Sequence, residues 1–334
     1  MKTAVFAYSR RGCETARRVL ALCGDARAFT PEKYRLPGFE VLERSMYGSC
    51  FSWADAMIFV GSCGIAVREI APFVKDKRTD PAVICIDELG TFVIPLLSGH
   101  IGGANALARR LAAGLSAVAV ITTATDIHGK FSVDAWAAER GYRIGSMQAA
   151  KAVSAEILER DIPLCSDFPI AGNLPAGVFS GNTGSIGICV TYRQQAPFEN
   201  TLCIFPPVLH LGIGCRKNTP REAIRDAVNA VFKANRLDLR AVKRAASIDL
   251  KAGEPGLLEY CREAEIPITF YTAEELQSLE GEFTSSAFVR KTTGVDNVCE
   301  RAAKIGAEDL IVRKTAMGGV TVAVAAENLE VRFG

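Results

Sequence analysis

The stretch Asp55–Val74, DAMIFVGSCGIAVREIAPFV, decides the fold class. Its first half is a continuous apolar run, Ala56 to Val60, closed by Gly61. Such a short apolar run closed by glycine reads as a strand. The second half, from Cys63 to Val74, spaces its apolar residues as a helix does. A strand feeding a helix through a glycine turn is the repeating unit of layered α/β proteins. Upstream, KTAVFAYS predicts a strand and RGCETARRVLALCG the helix after it. Downstream, AVICID is a strand followed, after a connection, by the helix GGANALARRLAAGL, and SAVAVITT completes the first unit.

The texture changes near Thr125. ATDIHGKFSVDAWAAERG and MQAAKAVSAEILERD are helical, and connections rich in Pro and Gly follow. PAGVFSGNTGSIGICVTYR reads as a hairpin, because Asn182, Gly184 and Gly187 punctuate β-rich runs. After Pro206-Pro207 the alternation restarts with VLHLGIGC, TPREAIRDAVNAVFKAN, AVKRAASID, GEPGLLEYCREAE, PITFYT, AEELQSL and EDLIVRKT. The expected architecture is therefore α/β and multi-domain, with two α/β layered units over 1–125 and 207–334 flanking a small α+β middle domain over 126–206. The two units share no residue-level identity, and no low-complexity segment occurs.

Composition narrows the function classes. The 334 residues are 49% hydrophobic and 23% charged, close to the average of a self-sufficient globular protein. A net charge of +2 without a long Lys/Arg run argues against broad capture of nucleic acid. Nowhere do 18 apolar residues run together, so no membrane-spanning helix is expected. MKTAVFAYSR reaches Ser9 and Arg10 before an apolar segment of signal-peptide length forms, so a cytoplasmic location is expected. The eleven cysteines are scattered from Cys13 to Cys299 with no C-x2-C pair, and read as reduced thiols. Cys85 and Cys189 lie in apolar runs, where cysteine acts as a small hydrophobe.

Three constellations carry possible chemistry. In the first, Gly61 and Gly64 make a turn beside Arg68, Lys75 and Lys77 lie in the charged loop KDKRTD, and Asp87-Glu88 follow the strand AVICID. LLSGHIGGAN then sets His100 among Ser98, Gly99, Gly102, Gly103 and Asn105, at the start of a helix whose free N–H groups suit an anion. These features are expected to converge on the edge at the carboxyl ends of the strands, where open α/β sheets bind ligands. Taken singly, Asp87-Glu88 reads as a solvated turn, the loop as a solvated face, and His100 as a structural histidine.

The second constellation is LGIGCRKNTPREAI, Leu211–Ile224. Gly212 and Gly214 end a strand beside Cys215 and Arg216, and Thr219, Pro220 and Glu222 predict an N-cap, a first helical residue and a capping box. Anion recognition and a plain strand-to-helix connection fit it equally. Lys217 fills the place of the third glycine of a dinucleotide fingerprint, which disfavours a nucleotide-dependent enzyme. In the third, ASIDLKAGEPGLLEYC, Ser247, Asp249 and Lys251 come off a strand and Glu254-Pro255 open a helix. That set suits a substrate carboxylate or a polar loop, and no G-x-S-x-G elbow supports Ser247 as a nucleophile.

The strings GIAVREIAP, DPAVICIDELGTFVIPLLSGHIGGANALARRLA, VITTATD, GIGCRKNT and ASIDLKAGEPGLLEY together resemble the cobalt-precorrin-5A hydrolase family of the anaerobic cobalamin pathway. The likeness covers nearly the whole chain and is weakest before Phe51 and across the middle segment. It implies an enzyme that opens the δ-lactone on ring A of a cobalt-containing macrocycle and releases acetaldehyde. The cobalt rides in the substrate, so no cofactor is expected. The partner expected is a small-molecule cobalt-corrinoid, with homo-oligomerisation or transient contact with neighbouring pathway enzymes left open. A lactone needs activated water and a stabilised oxyanion, which His100 and the glycine turn can supply, with Glu88 and Asp87 managing the proton of the departing fragment. The acetate and propionate arms suit Arg68, Lys75, Lys77 and Arg216, together with the glycine turns at Gly61/Gly64 and Gly212/Gly214 and the side chains of Cys215, Ser247 and Lys251. A non-catalytic tetrapyrrole carrier is the other class.

Overall fold

In the computed structural model, which describes residues 1–76 and 79–333, the chain divides into two units, Met1–Glu139 and Arg140–Gly334. The first unit is built on a seven-stranded sheet of β1 (Lys2–Ala7), β2 (Asp25–Thr30), β3 (Phe39–Val41), β4 (Ala56–Val60), β5 (Ala82–Ile86), β6 (Phe92–Leu97) and β7 (Val118–Ala119), in the order β3-β2-β1-β4-β5-β6-β7. Strands β1 to β5 are mutually parallel, β6 runs antiparallel to β5, and β7 runs parallel to β6. Every residue of β4 and β5 is buried, as the unbroken apolar runs require of strands covered on both faces. Helices α1 (Arg10–Ala21), α2 (Met46–Trp53), α3 (Cys63–Ile70) and α4 (Ala104–Leu115) follow, with α5 (Ala124–Ile127) and α6 (Val133–Glu139) completing the unit. Ser9 caps α1 by accepting from the N–H of Gly12.

Strand β6 lies in what the sequence reads as a mere connection. Its Pro95 cannot donate to a ladder and normally marks an edge or a bulge. Here the register with β5 shifts between Val83 and Ile84, opposite Leu97 and Pro95, and β7 pairs only with Phe92 and Val93. The strand therefore survives by placing its proline at an irregularity beyond the reach of β7.

The second unit holds two five-stranded sheets. One joins β8 (Arg143–Ile144), β9 (Ile162–Ser166), β11 (Val178–Ser180), β12 (Ile186–Val190) and β13 (Asn200–Phe205) in the order β11-β9-β12-β13-β8, with α7 (Met147–Glu159) packed on it. The hairpin expected over Pro175–Arg193 does not form: β11 and β12 each pair in parallel with β9, which lies between them. Turn chemistry at Gly184 is real, but the apolar run of β9 inserts as the central strand, and local sequence cannot report that long-range choice.

The other sheet contains β14 (Leu209–Cys215), β15 (Val242–Ile248), β16 (Ile268–Tyr271), β17 (Asp309–Met317) and β18 (Val320–Ala326), ordered β16-β15-β14-β18-β17. Its helices are α8 (Arg221–Ala234), α9 (Pro255–Glu263), α10 (Ala273–Gln277), α11 (Ala287–Thr293) and α12 (Cys299–Lys304). Thr219 does not cap α8. The helix starts after Pro220, Thr219 donates instead to the carbonyl of Arg216, and Glu222 pairs with Arg221. The tail forms a separate two-stranded sheet, with β19 (Val331–Arg332) pairing β10 (Ile170–Ala171). Arg240 reaches the Gly145 carbonyl at 2.7 Å, and the N–H of Asp238 donates to Tyr192. These ties explain why both sheets form one unit. No helix among the described residues is long and apolar enough to cross a membrane.

Gly212 sits where α12 crosses β14. A Cβ there would lie 1.8 Å from the carbonyl oxygen of Cys299. Gly212→Ala is therefore expected to destabilise the chain by about 1–3 kcal/mol or more, since the backbone of α12 would have to lift off the sheet. A lowered midpoint in chemical denaturation checks this, and an unchanged midpoint would show that α12 has room to move.

Candidate functional site

The turn that carries His100 is shaped by close contacts. Ser98 adopts a left-handed φ of 58° and donates its hydroxyl to the Asp80 carbonyl at 3.0 Å. A Cβ on Gly102 would fall 2.3 Å from that of Ser98, so only glycine fits. The first amides of α4 are already taken: those of Gly103, Ala104 and Asn105 donate to the carbonyls of His100, Ser98 and Gly99. The N–H groups of Gly99, His100 and Ile101 have no acceptor among the described residues, and these three residues line a cavity of about 310 Å³ together with Asn105, Thr123 and Asp134.

His100 stands between two carboxylates. Its Nε2 lies 3.2 Å from Asp126 Oδ2 and 3.3 Å from the Thr125 hydroxyl, and its Nδ1 lies 3.5 Å from Asp134 Oδ1. Asp126 is itself fastened by Arg109 at 2.5 Å and by Asn105 Nδ2 at 2.9 Å. Burial pushes the Asp126 carboxyl up, but the guanidinium of Arg109 and the hydrogen bonds from His100 and Asn105 outweigh it, and its pKa ends below the usual range. Asp134 raises the pKa of His100 above its ordinary value, against the opposing effect of burial and with help from Asp126. The imidazolium is thus favoured, because it alone offers N–H to both carboxylates. Since the folded pKa is raised, this pairing stabilises the fold fully below about pH 6.5 and is lost as pH rises through the higher folded value.

Sequence reasoning places Glu88 and Asp87 beside His100, and the structure separates them. Because β6 is antiparallel, Ser98–Gly103 lies level with the start of β5, whereas Asp87 follows its end. At about 3.3 Å per residue, these positions stand more than roughly 10 Å apart along the strand. Asp87 closes a turn by accepting from the amides of Leu89, Thr91 and Phe92, and Glu88 accepts from the Ser9 hydroxyl at 2.5 Å. Gly61, Gly64 and Arg68 belong to that same far edge, with the N–H of Gly61 donating to Ile86 and Arg68 exposed. Lys75 sits at the near edge, where Asp80 accepts from its amide and from that of Asp76. Lys77 lies outside the described residues.

The second unit has its own cavity, of about 460 Å³, which brings together Gly214, Cys215, Arg216 and Lys251. Two of the residues expected beside them are absent from its lining. Gly212 lies under α12, and Ser247 is fully buried with its hydroxyl donated to the Ile213 carbonyl at 2.7 Å. Lys251 pairs with Glu254 at 2.9 Å, and that carboxylate also accepts from the amide of Asn218. Lys314 lines the cavity too, on a strand fixed by its amide donating to the buried Glu300. Its position in VRKT carries no signal beyond a charged strand face. Asp126 and Asp134, also missed, lie in TATD and SVDAW, which read only as the onset of helices.

Residues 45–126 match the family described as Cobalamin synthesis G N-terminal, and residues 209–325 match Cobalamin synthesis G C-terminus. A cobalt-precorrin-5A hydrolase of Salmonella typhimurium is 36% identical over 337 residues, spanning 96% of this chain and 96% of that protein. A protein of the same name from Priestia megaterium is 32% identical over 352 residues, spanning 96% and 94%. Protein CobE of a Sinorhizobium species is 36% identical over 124 residues, covering 35% of this chain and 79% of that one.

Proposed function

The chain belongs to the cobalamin synthesis G family, and from that membership we propose that it hydrolyses cobalt-precorrin-5A, opening the ring A lactone and releasing acetaldehyde. The observation that carries the reading is the near full-length identity with two relatives named for that activity. In this reading the lactone carbonyl enters the cavity beside His100 and accepts from the amides of Gly99 and Ile101. Water adds to the carbonyl carbon. As the ring C–O bond breaks, the Nδ1–H of His100, which faces Asp134 at the longer distance of 3.5 Å, leaves that carboxylate and gives its proton to the departing alkoxide, and the proton shed by the added water restores the imidazolium. The hydroxyl so released then loses its proton as its C–C bond to the macrocycle breaks. The fragment leaves as acetaldehyde, and the electron pair passes into the conjugated, cobalt-bearing ring of the substrate.

The cavity of the second unit, with Arg216 and Lys314 as its cations, suits carboxylate groups. Arg216 is exposed, so an ion pair there is screened by water. Arg216→Ala should raise KM about two- to fivefold with kcat unchanged, the range of exposed ion pairs. An unchanged KM would remove this residue from the binding surface. The whole reading is tested by incubating the purified chain with cobalt-precorrin-5A and measuring acetaldehyde. Stoichiometric release supports it; tight binding of the corrinoid with neither lactone opening nor acetaldehyde would mark a carrier instead.

A further inference from the structure

Cys165, Cys189 and Cys203 are far apart in the sequence, but the sheet of β9, β12 and β13 aligns them. Cys189 is in direct register with Cys165 on one side and with Cys203 on the other, so all three side chains point to one face of the sheet. The middle thiol is buried, and the outer two are partly exposed. Gln195, itself exposed, covers the row. Its Nε2 donates to Cys189 Sγ at 3.3 Å, and its carbonyl accepts from Cys203 Sγ at 3.3 Å. Parallel neighbours in register sit about 4.8 Å apart, within the Cα separation of roughly 4.4–6.8 Å that a disulfide spans.

We propose that Cys203 and Cys189 form an oxidisable dithiol, in which a hydroperoxide converts the pair to a reversible disulfide. The roles follow from the surroundings. The hydrogen bond from Cys189 and the charge of Arg240 favour the Cys203 thiolate against burial and the charge of Asp238, whereas the bonds to its two neighbours hold Cys189 protonated. Cys165 shares the bond from Cys189 and is shifted the same way, against the charge of Asp167 and without the help that Arg240 gives Cys203. The Cys203 thiolate attacks the peroxide O–O bond, giving a sulfenic acid and an alkoxide or hydroxide that takes a proton from water. The Cys189 sulfur then attacks the sulfenic sulfur, the S–O bond breaks, and water leaves with the thiol proton. The peroxide is reduced by two electrons and the thiol pair is oxidised by two.

The test treats the purified full chain with a small excess of hydrogen peroxide, alkylates the remaining thiols under denaturing conditions and maps the peptides by mass. The expected result is a Cys189–Cys203 cross-link, with the thiol count down by two from eleven and restored by a dithiol reductant. In Cys203→Ser the same treatment should remove no thiol pair, and in Cys165→Ser the cross-link should still form. A full thiol count after treatment, a sulfinic acid at Cys203 without a cross-link, or a bond joining any other pair would overturn the proposal.

Discussion

His100→Ala is expected to lower turnover of cobalt-precorrin-5A by roughly 10²- to 10⁴-fold, the usual contribution of general acid–base catalysis, while the corrinoid still binds. The size follows from placement: the ring lines the cavity and is aimed by Asp126 and Asp134. The substitution also removes the imidazolium from both carboxylates, Asp126 keeping Arg109, so a thermal melt must accompany the kinetics. His100→Gln, which keeps an N–H donor but cannot transfer a proton, separates the two effects. A folded His100→Gln protein turning over at the parent rate would make His100 a structural residue only.

The second large effect is expected at Asp134. Asp134→Asn removes the group that does most to raise the pKa of His100, so the imidazolium population at neutral pH falls. Losing one charge-assisted hydrogen bond is worth about 1.5–3 kcal/mol, which limits the loss of turnover at neutral pH to at most roughly 10- to 150-fold. Because the loss arises through protonation of His100, lowering the pH should recover much of it. A merely structural Asp134 would give a loss that no pH restores, and that outcome would detach it from the proton chemistry.

The parts of this arrangement that could be read from the sequence are those set by local pattern. The apolar runs of β4 and β5 read as strands, and both form, with every residue buried. Pro255 opens α9 as expected. His100 stood out because glycines flank it, and the structure uses one of them, Gly102, for the close approach to Ser98. What could not be read was direction. A strand interrupted by Pro95 looks like a connection, and missing β6 puts His100 on the same edge as Glu88 when the antiparallel strand carries it to the other. The partners of His100 were hidden for a related reason. Asp126 and Asp134 lie on short helices after a change of texture, and only the packing of the first unit brings them to the ring.

The glycine-flanked sequence marks His100 only as a residue that can activate water, and two carboxylates make it the charged member of the site. The three cysteines show the same limit. Each reads singly as a small hydrophobe or a reduced thiol, and strand register alone makes them neighbours.

In the proposed reaction His100 acts from its protonated form. The most direct test is the pH dependence of single-turnover lactone opening in the parent chain and in His100→Gln. The parent rate should hold at low pH and fall as pH rises through a pKa above histidine's ordinary value, and that falling limb should be missing from the slow variant. A parent rate that climbs through the same range would contradict the account, because it would make the neutral imidazole the working form.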